Sequence, residues 1–355
     1  MILKREQGVY YDVEHHLGFF YVRINNPPAN NYHVIKIDIK YSTQKADISQ
    51  ASLEIVVPHS DALIEMHEIF KDHLVLWIRV DGLREIEIIR LNVESTAKRI
   101  SFQDPHNPHT QTYSVFPGTI DDMESRLYRR FDSSCLSFTN SSFLRERQTY
   151  IYSFETQSTI SNRERAARAF DQEYLEMRLW VPSSITPGLK IPISLLTLKS
   201  QPHSGAVLVR SYGAYGSFID PAFNRDIFPL VNRGVAFALC HPRGDGDLGS
   251  QWYLDGKYEK KVNTFLDTQD CVRGLLDAQI AQQGKVALYA RSAGGLVAGY
   301  LINHSTDIAV IVTQVPFVDP IQDMMDDTVP WTAFEWYDCL MKHPNPEVRM
   351  GQSVI

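Results

Sequence analysis

Ser292 is the residue of this chain whose setting points most directly to chemistry. It closes the apolar run Lys285-Val-Ala-Leu-Tyr-Ala-Arg and is followed by Ala293, Gly294 and Gly295, after which a helical pattern runs from Leu296 to Leu301. A strand that stops at a serine and restarts as a helix forces that serine onto a tight turn, with its hydroxyl projecting above the sheet edge. Such an elbow, written G-x-S-x-G, presents the nucleophile of many acyl-transfer enzymes. Ala290 stands at the first glycine position and Gly294 at the second. Alanine is the least bulky replacement, so the turn is expected to form with some strain. The plainer alternative is an ordinary Ser-Ala-Gly-Gly loop between strand and helix, and this segment alone leaves both open.

The elements that must position Ser292 are legible on either side of it. Compact apolar runs occur at Ile191–Leu198, Ala206–Val209, Val235–Cys240, Val286–Ala290 and Ala309–Val312, as strands buried on both faces require. Between Asn263 and Gln282, Phe265, Val272, Leu275, Leu276 and Ile280 fall on one helical stripe, with Asn263 or Thr264 available as N-cap. Alternating strand and helix predicts a doubly wound, mostly parallel sheet, with Ser292 at the carboxyl end of a strand, where such sheets place their sites. The first half has a different period. Phe19–Ile24, the Ile35/Ile37/Ile39 alternation, Leu74–Val80 and Tyr150–Phe154 read as short antiparallel strands. Asp81-Gly82 between Leu74–Val80 and the Ile86/Ile88 alternation predicts a hairpin. Strands of this spacing imply a sandwich, barrel or propeller, and periodicity does not choose among them.

Composition narrows the function classes. The chain has 355 residues, 44% of them hydrophobic and 22% charged, enough for two globular units. A formal net charge of −7 gives no basic field for nucleic acid. No apolar run approaches the length of a membrane span, and the first residues carry no apolar leader-like core. Cys135, Cys240, Cys271 and Cys339 have no paired spacing, so reduced thiols in a cytoplasmic protein are expected rather than a disulfide frame or zinc site. No metal, nucleotide or other cofactor signature is present, and nothing addresses oligomeric state.

Six motifs then occur in order: Tyr212-Gly-Ala-Tyr-Gly216, His241-Pro-Arg-Gly-Asp-Gly-Asp-Leu-Gly249, Trp252-Tyr-Leu-Asp-Gly-Lys257, Lys260-Lys-Val-Asn-Thr-Phe265, Arg291-Ser-Ala-Gly-Gly295 and Gln314-Val-Pro-Phe-Val-Asp319. Their order and spacing resemble the prolyl oligopeptidase family of serine peptidases, the oligopeptidase B branch in particular. The resemblance implies an α/β-hydrolase domain preceded by a β-propeller, with residues 1–172 as later propeller blades and 173–355 as the hydrolase. It implies a serine endopeptidase acting on short peptides, admitted past the propeller while folded proteins are kept out. Ser292 would be the nucleophile, and the backbone N–H of Ala293 and the hydroxyl of Tyr212 the oxyanion donors. The branch cleaves after Arg or Lys. Glu335 matches the first of its two acidic anchors, while Tyr337 stands at the second with Asp338 beside it. Arg243 and Asp247 read as an Arg–Asp pair holding loop shape.

A serine hydrolase of this fold places its Asp and then its His after the serine. Only His304 and His343 follow Ser292, and neither matches the family's base: His304 reads as a helix-end surface residue, and His343 lies in Lys342-His-Pro-Asn-Pro346. The downstream acids also match non-catalytic positions. A seven-bladed propeller needs roughly twice the strands visible here. A chain truncated at both ends is therefore expected, with the base and acid missing. Two alternatives stand beside the oligopeptidase: an inactive member that binds peptides or partner proteins, and an esterase-like serine hydrolase.

Overall fold

The computed structural model describes residue 3 and residues 6–28, 30–39, 53–91, 97–100, 102, 112–117, 131–161, 173–199, 204–326 and 328. Among them, residues up to 161 build three four-stranded antiparallel sheets, each with its strands side by side in chain order. The first holds β1 (Tyr11–His16), β2 (Phe19–Ile24), β3 (His33–Asp38) and β4 (Glu54–Val57). The second holds β5 (Leu63–Ile69), β6 (His73–Val80), β7 (Leu83–Arg90) and β8 (Ala97–Ile100). The third holds β9 (Ser114–Pro117), β10 (Cys135–Ser141), β11 (Gln148–Ser153) and β12 (Ser158–Ser161).

The strand period of two explains how these sheets stack. On β6, Leu74, Leu76 and Ile78 face the first sheet and pack with Tyr21, Val34 and Ile64. Val75 and Trp77, on the opposite face, pack with Val115, Leu136, Phe138 and Tyr152 of the third. A central sheet buried on both faces between two like neighbours is a row of propeller blades. The β6–β7 hairpin turns at Asp81 and Gly82, both with positive φ (50° and 80°), as the dipeptide predicted.

A six-stranded sheet follows, in the order β13 (Tyr174–Pro182), β14 (Lys190–Leu198), β16 (Val235–Cys240), β15 (Ala206–Arg210), β17 (Val286–Arg291), β18 (Val310–Gln314). The last four in that row are mutually parallel. β14 runs antiparallel to β16, and β13 antiparallel to β14, so the sheet is mixed at this end. β13 is absent from the apolar runs read in the sequence; it is an edge strand whose Met177 and Leu179 are half-buried against the core.

Five α-helices accompany the sheet among the described residues: α1 (Phe228–Val231), α2 (Ser250–Leu254), α3 (Val262–Asp277), α4 (Gly295–His304) and α5 (Pro320–Met325). Phe265, Cys271, Val272 and Leu275 on α3 and Leu296, Val297 and Leu301 on α4 bury one sheet face with Val209, Leu288 and Ala290. Neither Asn263 nor Thr264 caps α3. A 3₁₀ turn at Tyr258–Lys260 feeds straight into the helix with Lys261 at the N-cap, and the two expected caps are used elsewhere. Asn263 Nδ2 donates to Asp255 O (2.8 Å), and the Thr264 hydroxyl donates to Arg243 O (2.6 Å).

The expectation of four reduced thiols is also corrected. The end of β16 faces the buried side of α3, and Cys240 and Cys271 are joined there as a disulfide with Cα atoms 6.2 Å apart. Cys135 is the free cysteine among the described residues. Sequence spacing could not show this pair, because a strand end and a helix face meet only in the fold. The thiol argument for a reducing compartment falls with it. No helix among the described residues is long and apolar enough to cross a membrane.

One buried cation ties the blades to the sheet domain. Arg79 on β6 has no exposed side-chain surface; it donates to Glu65 (2.6 Å) and Asp220 (2.7 Å), and Asp247 lies 3.8 Å away. Burial by itself would raise the Asp220 carboxyl, but the Arg79 guanidinium outweighs it and holds the group below the ordinary carboxylate range. Arg178 of β13 returns the contact, donating to Asp81 O (3.0 Å) at the blade hairpin and to Ser194 Oγ (2.9 Å). Removing one partner of a buried pair strands the others as uncompensated charges. Arg79→Ala should therefore lower unfolding stability by about 3–5 kcal/mol. Urea denaturation checks this, and a loss below about 1 kcal/mol, the range of exposed ion pairs, would contradict the buried-network account.

Candidate active site

Ser292 occupies the turn that its neighbours predicted. β17 ends at Arg291, Ser292–Gly294 form one 3₁₀ turn, and α4 starts at Gly295. Ser292 has φ of +51°, a left-handed conformation uncommon for a residue with a Cβ, and its side chain is exposed. Ala290, in place of the first glycine of the elbow pattern, is a fully buried β17 residue and packs in the core between sheet and helices. The glycines after Ser292 are needed for close approach. A Cβ on Gly295 would lie 2.7 Å from Phe317 N and 2.9 Å from Phe317 O. Phe317 N–H donates to Ser292 O (2.9 Å), so the segment after β18 clamps the elbow from behind. A Cβ on Gly294 would lie 3.2 Å from Ser211 O and 3.5 Å from Tyr212 Cα, which brings the end of β15 alongside the turn.

Tyr212 therefore shares a cleft with the serine. Arg210, Ser211, Tyr212, Arg291 and Ser292 line one open cleft of about 340 Å³. The Tyr212 ring leans on Tyr215, with centroids 6.1 Å apart. Ala293 is buried at the head of the turn leading into α4, where the first backbone N–H groups have no intrahelical acceptor. Such donors suit a developing negative charge. Ser292, Tyr212 and Ala293 are thus brought together. Glu335, Tyr337, Asp338 and His343 lie outside the described residues. His304 is at the exposed last position of α4, its ring stacked on Tyr300 and its Nδ1 2.8 Å from Tyr300 O, as a helix-end surface residue should be. Ser292 Oγ has no hydrogen-bond partner among the described residues. No cluster of metal-ligating side chains occurs among them either.

The loop carrying Tyr212 is fixed by the His241–Gly249 motif and by the start of α3. Asp245 Oδ1 accepts from Gly213 N–H (2.9 Å), and Lys261 Nζ donates to Gly213 O. Gly216 N–H donates to Gly244 O (3.1 Å), and Gly246 N–H to Ser217 O (3.0 Å). The expected Arg243–Asp247 pair is not formed. Arg243 is bidentate to Asp267 of α3 (2.6 and 2.8 Å), because its side chain runs along the buried face of that helix. Asp247 turns the other way, 3.2 Å from His241 Nδ1 and toward Arg79. His241 Nε2 lies 2.9 Å from Ser194 Oγ, so Ser194, His241 and Asp247 form a serine–histidine–carboxylate line. All three are buried, with at most 1% of their surface exposed, which makes this line a brace and leaves no substrate access. Sequence reasoning missed Asp267, Lys261 and His241 as loop supports. His241 and Lys261 stand in the motifs and Asp267 two residues beyond one, but their partners are distant in the chain.

Two family models match the chain. The model described as "Prolyl oligopeptidase, N-terminal beta-propeller domain" matches residues 1–163, and that described as "Prolyl oligopeptidase family" matches residues 221–355. The chain belongs to the prolyl oligopeptidase family. Among relatives in this family, dipeptidyl aminopeptidase BI of Pseudoxanthomonas mexicana is 28% identical over 340 residues, covering 95% of this chain and 44% of the relative. Protease 2 of Moraxella lacunata is 26% identical over 341 residues, covering 95% of this chain and 46% of the relative. Among solved structures, oligopeptidase B from Trypanosoma brucei with covalently bound antipain, in a closed form, superposes with a TM-score of 0.82 at 28% identity over 96% of this chain and 47% of that one. Oligopeptidase B from Leishmania major gives 0.82 at 25% identity, over 99% and 48%. The chain thus spans less than half the length of these relatives. The propeller and α/β-hydrolase architecture expected from the motifs is the one found.

The buried loop supports give this prolyl oligopeptidase family member a distinct pH signature. Burial first, and the neighbouring Asp247 charge second, push the Asp245 carboxyl well above its ordinary value, against the opposing pull of the Gly213 N–H and Lys261. A raised carboxyl binds its proton more tightly in the folded state. Its contribution to stability is complete below the unfolded value and is lost as pH rises through the folded one. Asp245→Asn keeps an acceptor for Gly213 and cannot ionise. Its stability relative to wild type should therefore rise between about pH 5 and pH 8. Parallel denaturation curves across that range check the sign, and a relative stability that falls with pH would refute it.

Proposed function

We propose that this chain carries the nucleophile and oxyanion-binding parts of a serine oligopeptidase that hydrolyses short peptides through an acyl-enzyme. The observation that carries this reading is the exposed Ser292, held at positive φ, in one cleft with Tyr212 and beside the α4 start. Ser292 Oγ attacks the scissile carbonyl carbon while its proton passes to a base. The carbonyl oxygen becomes an oxyanion, which accepts from Ala293 N–H and the Tyr212 hydroxyl. Collapse expels the amine, which leaves with a proton, and water then hydrolyses the acyl-serine to release the second product. The base and its orienting acid belong outside the described residues. The propeller blades, locked to the sheet domain through Arg79 and Arg178, would restrict entry to short peptides. Oligopeptidase B from Trypanosoma brucei, which aligns over 96% of this chain, holds covalently bound antipain, and this supports a covalent mechanism.

A fluorophosphonate probe and a panel of short peptides test this. Ser292→Ala should abolish both labelling and hydrolysis, and labelling that persists in this variant would exclude Ser292 as nucleophile. A wild-type protein that binds peptides but neither labels nor cleaves would identify a binding-only member. Arylamides of Arg or Lys hydrolysed ahead of simple acyl esters support a peptidase with the Glu335 preference, and the reverse order an esterase. Tyr212→Phe should lower kcat by about 10²–10³ while moving KM little, since one oxyanion donor acts only in the transition state. A kcat within a few-fold of wild type would remove Tyr212 from the oxyanion site.

A further inference from the structure

The cleft around Ser292 holds two guanidinium groups that the proposed chemistry does not use. β15 and β17 are parallel neighbours, with Arg210 paired to Tyr289. Side chains two apart on a strand share a face, so Arg291 lies on the same face as Tyr289 and, across the pair, Arg210. The opposite face carries Val209, Leu288 and Ala290, all fully buried. Arg210 therefore cannot turn into the core. Its guanidinium lies 5.9 Å from the centre of the Tyr289 ring, and Tyr289 is held in turn by donating to Gln314 Oε1 (2.6 Å). Arg291 is exposed and immediately precedes the nucleophile. Among the described residues neither guanidinium has a carboxylate within ion-pairing distance, although acids outnumber bases in the chain, 42 to 35.

From this geometry we infer that Arg210 and Arg291 form an anion subsite selecting peptides with a carboxylate within a residue or two of the scissile bond. The inference rests on Ser292 being the nucleophile of this cleft. Both arginines line the one cleft, so a carboxylate seated there is attracted by two cations. A guanidinium offers a planar fork of donors that a carboxylate can accept in pairs, which a lone ammonium does not. Tyr289 lowers the cost of ordering Arg210 by holding it against a ring before the substrate arrives. Hydrogen bonds to a charged group made beside the reacting carbonyl also fix the peptide's register over Ser292. The carboxylate could be an Asp or Glu side chain or the α-carboxylate at a peptide's end.

The test compares kcat/KM for four otherwise identical short peptides. All four carry the same Arg on the acyl side of the scissile bond; on the leaving side one is neutral and amidated, one has Glu, one has a free C-terminal carboxylate, and one has Lys. The two carboxylate peptides should be favoured over the neutral one by roughly 10- to 100-fold, and the Lys peptide disfavoured. Whichever carboxylate peptide gains more identifies the source. Arg210→Met and Arg291→Met should each erase most of the preference. Arg210→Glu should turn it toward the Lys peptide, a reversal that damaged folding would not produce. The preference should shrink as salt rises. Cleavage of the neutral peptide with no carboxylate preference would overturn the subsite while leaving the nucleophile in place. If no peptide is cleaved, binding of the same four peptides to Ser292→Ala by calorimetry decides the subsite independently. Equal affinities there would overturn it.

Discussion

Everything at the candidate site depends on one backbone constraint: a strand that must become a helix within three residues. Ser292 can point into the cleft only because β17 stops at Arg291 and the chain reverses through a positive φ. That conformation persists because the surroundings fix it. Phe317 binds the Ser292 carbonyl from one side, and Gly295 leaves room for the Phe317 backbone. On the other side the end of β15 comes up against Gly294, carrying Tyr212 with it. Ser292 and Tyr212 are thus placed by the same close packing.

Polar groups buried behind the cleft complete the positioning. Lys261, Asp245, Arg243, Asp267 and His241 are all buried, and each is placed against a group of opposite charge, a backbone group or both. Such groups are costly to bury singly and rigid when satisfied together. The loop Tyr212–Gly216 carries positive-φ backbone at Gly213, Tyr215 and Gly216, a conformation that needs outside support. The network supplies it from α3 and from the His241–Gly249 loop. The same network continues through Asp247 to Arg79, so the polar layer under the cleft reaches the blades. Blade geometry and loop geometry are therefore mechanically connected.

Much of this was legible in the sequence. The apolar runs at 191–198, 206–209, 235–240 and 286–290 each became a strand, because a strand buried on both faces must be continuously apolar. The Asp81-Gly82 hairpin and the Ser292 turn were readable because both are local, decided by backbone preferences of two or three residues. The six ordered motifs pointed to the family. Edge strand β13 was hidden because its residues are half-exposed and lack a clean alternation. The α3 cap was misplaced because Asn263 and Thr264 had partners in loops that local sequence cannot reveal.

Sequence alone determined that a serine would sit at a strand–helix junction of a largely parallel sheet, beside a run of antiparallel strands. Tertiary structure decided which side chains meet there. It paired Cys240 with Cys271, sent Arg243 to Asp267 instead of Asp247, aimed Arg79 at Asp220 across the blade boundary, and set Arg210 and Arg291 in the Ser292 cleft. The reason is one of range. Backbone conformation follows from neighbours along the chain, whereas charge and sulfur pairing follow from distances that exist only after the sheet order β14-β16-β15-β17 has brought remote segments side by side.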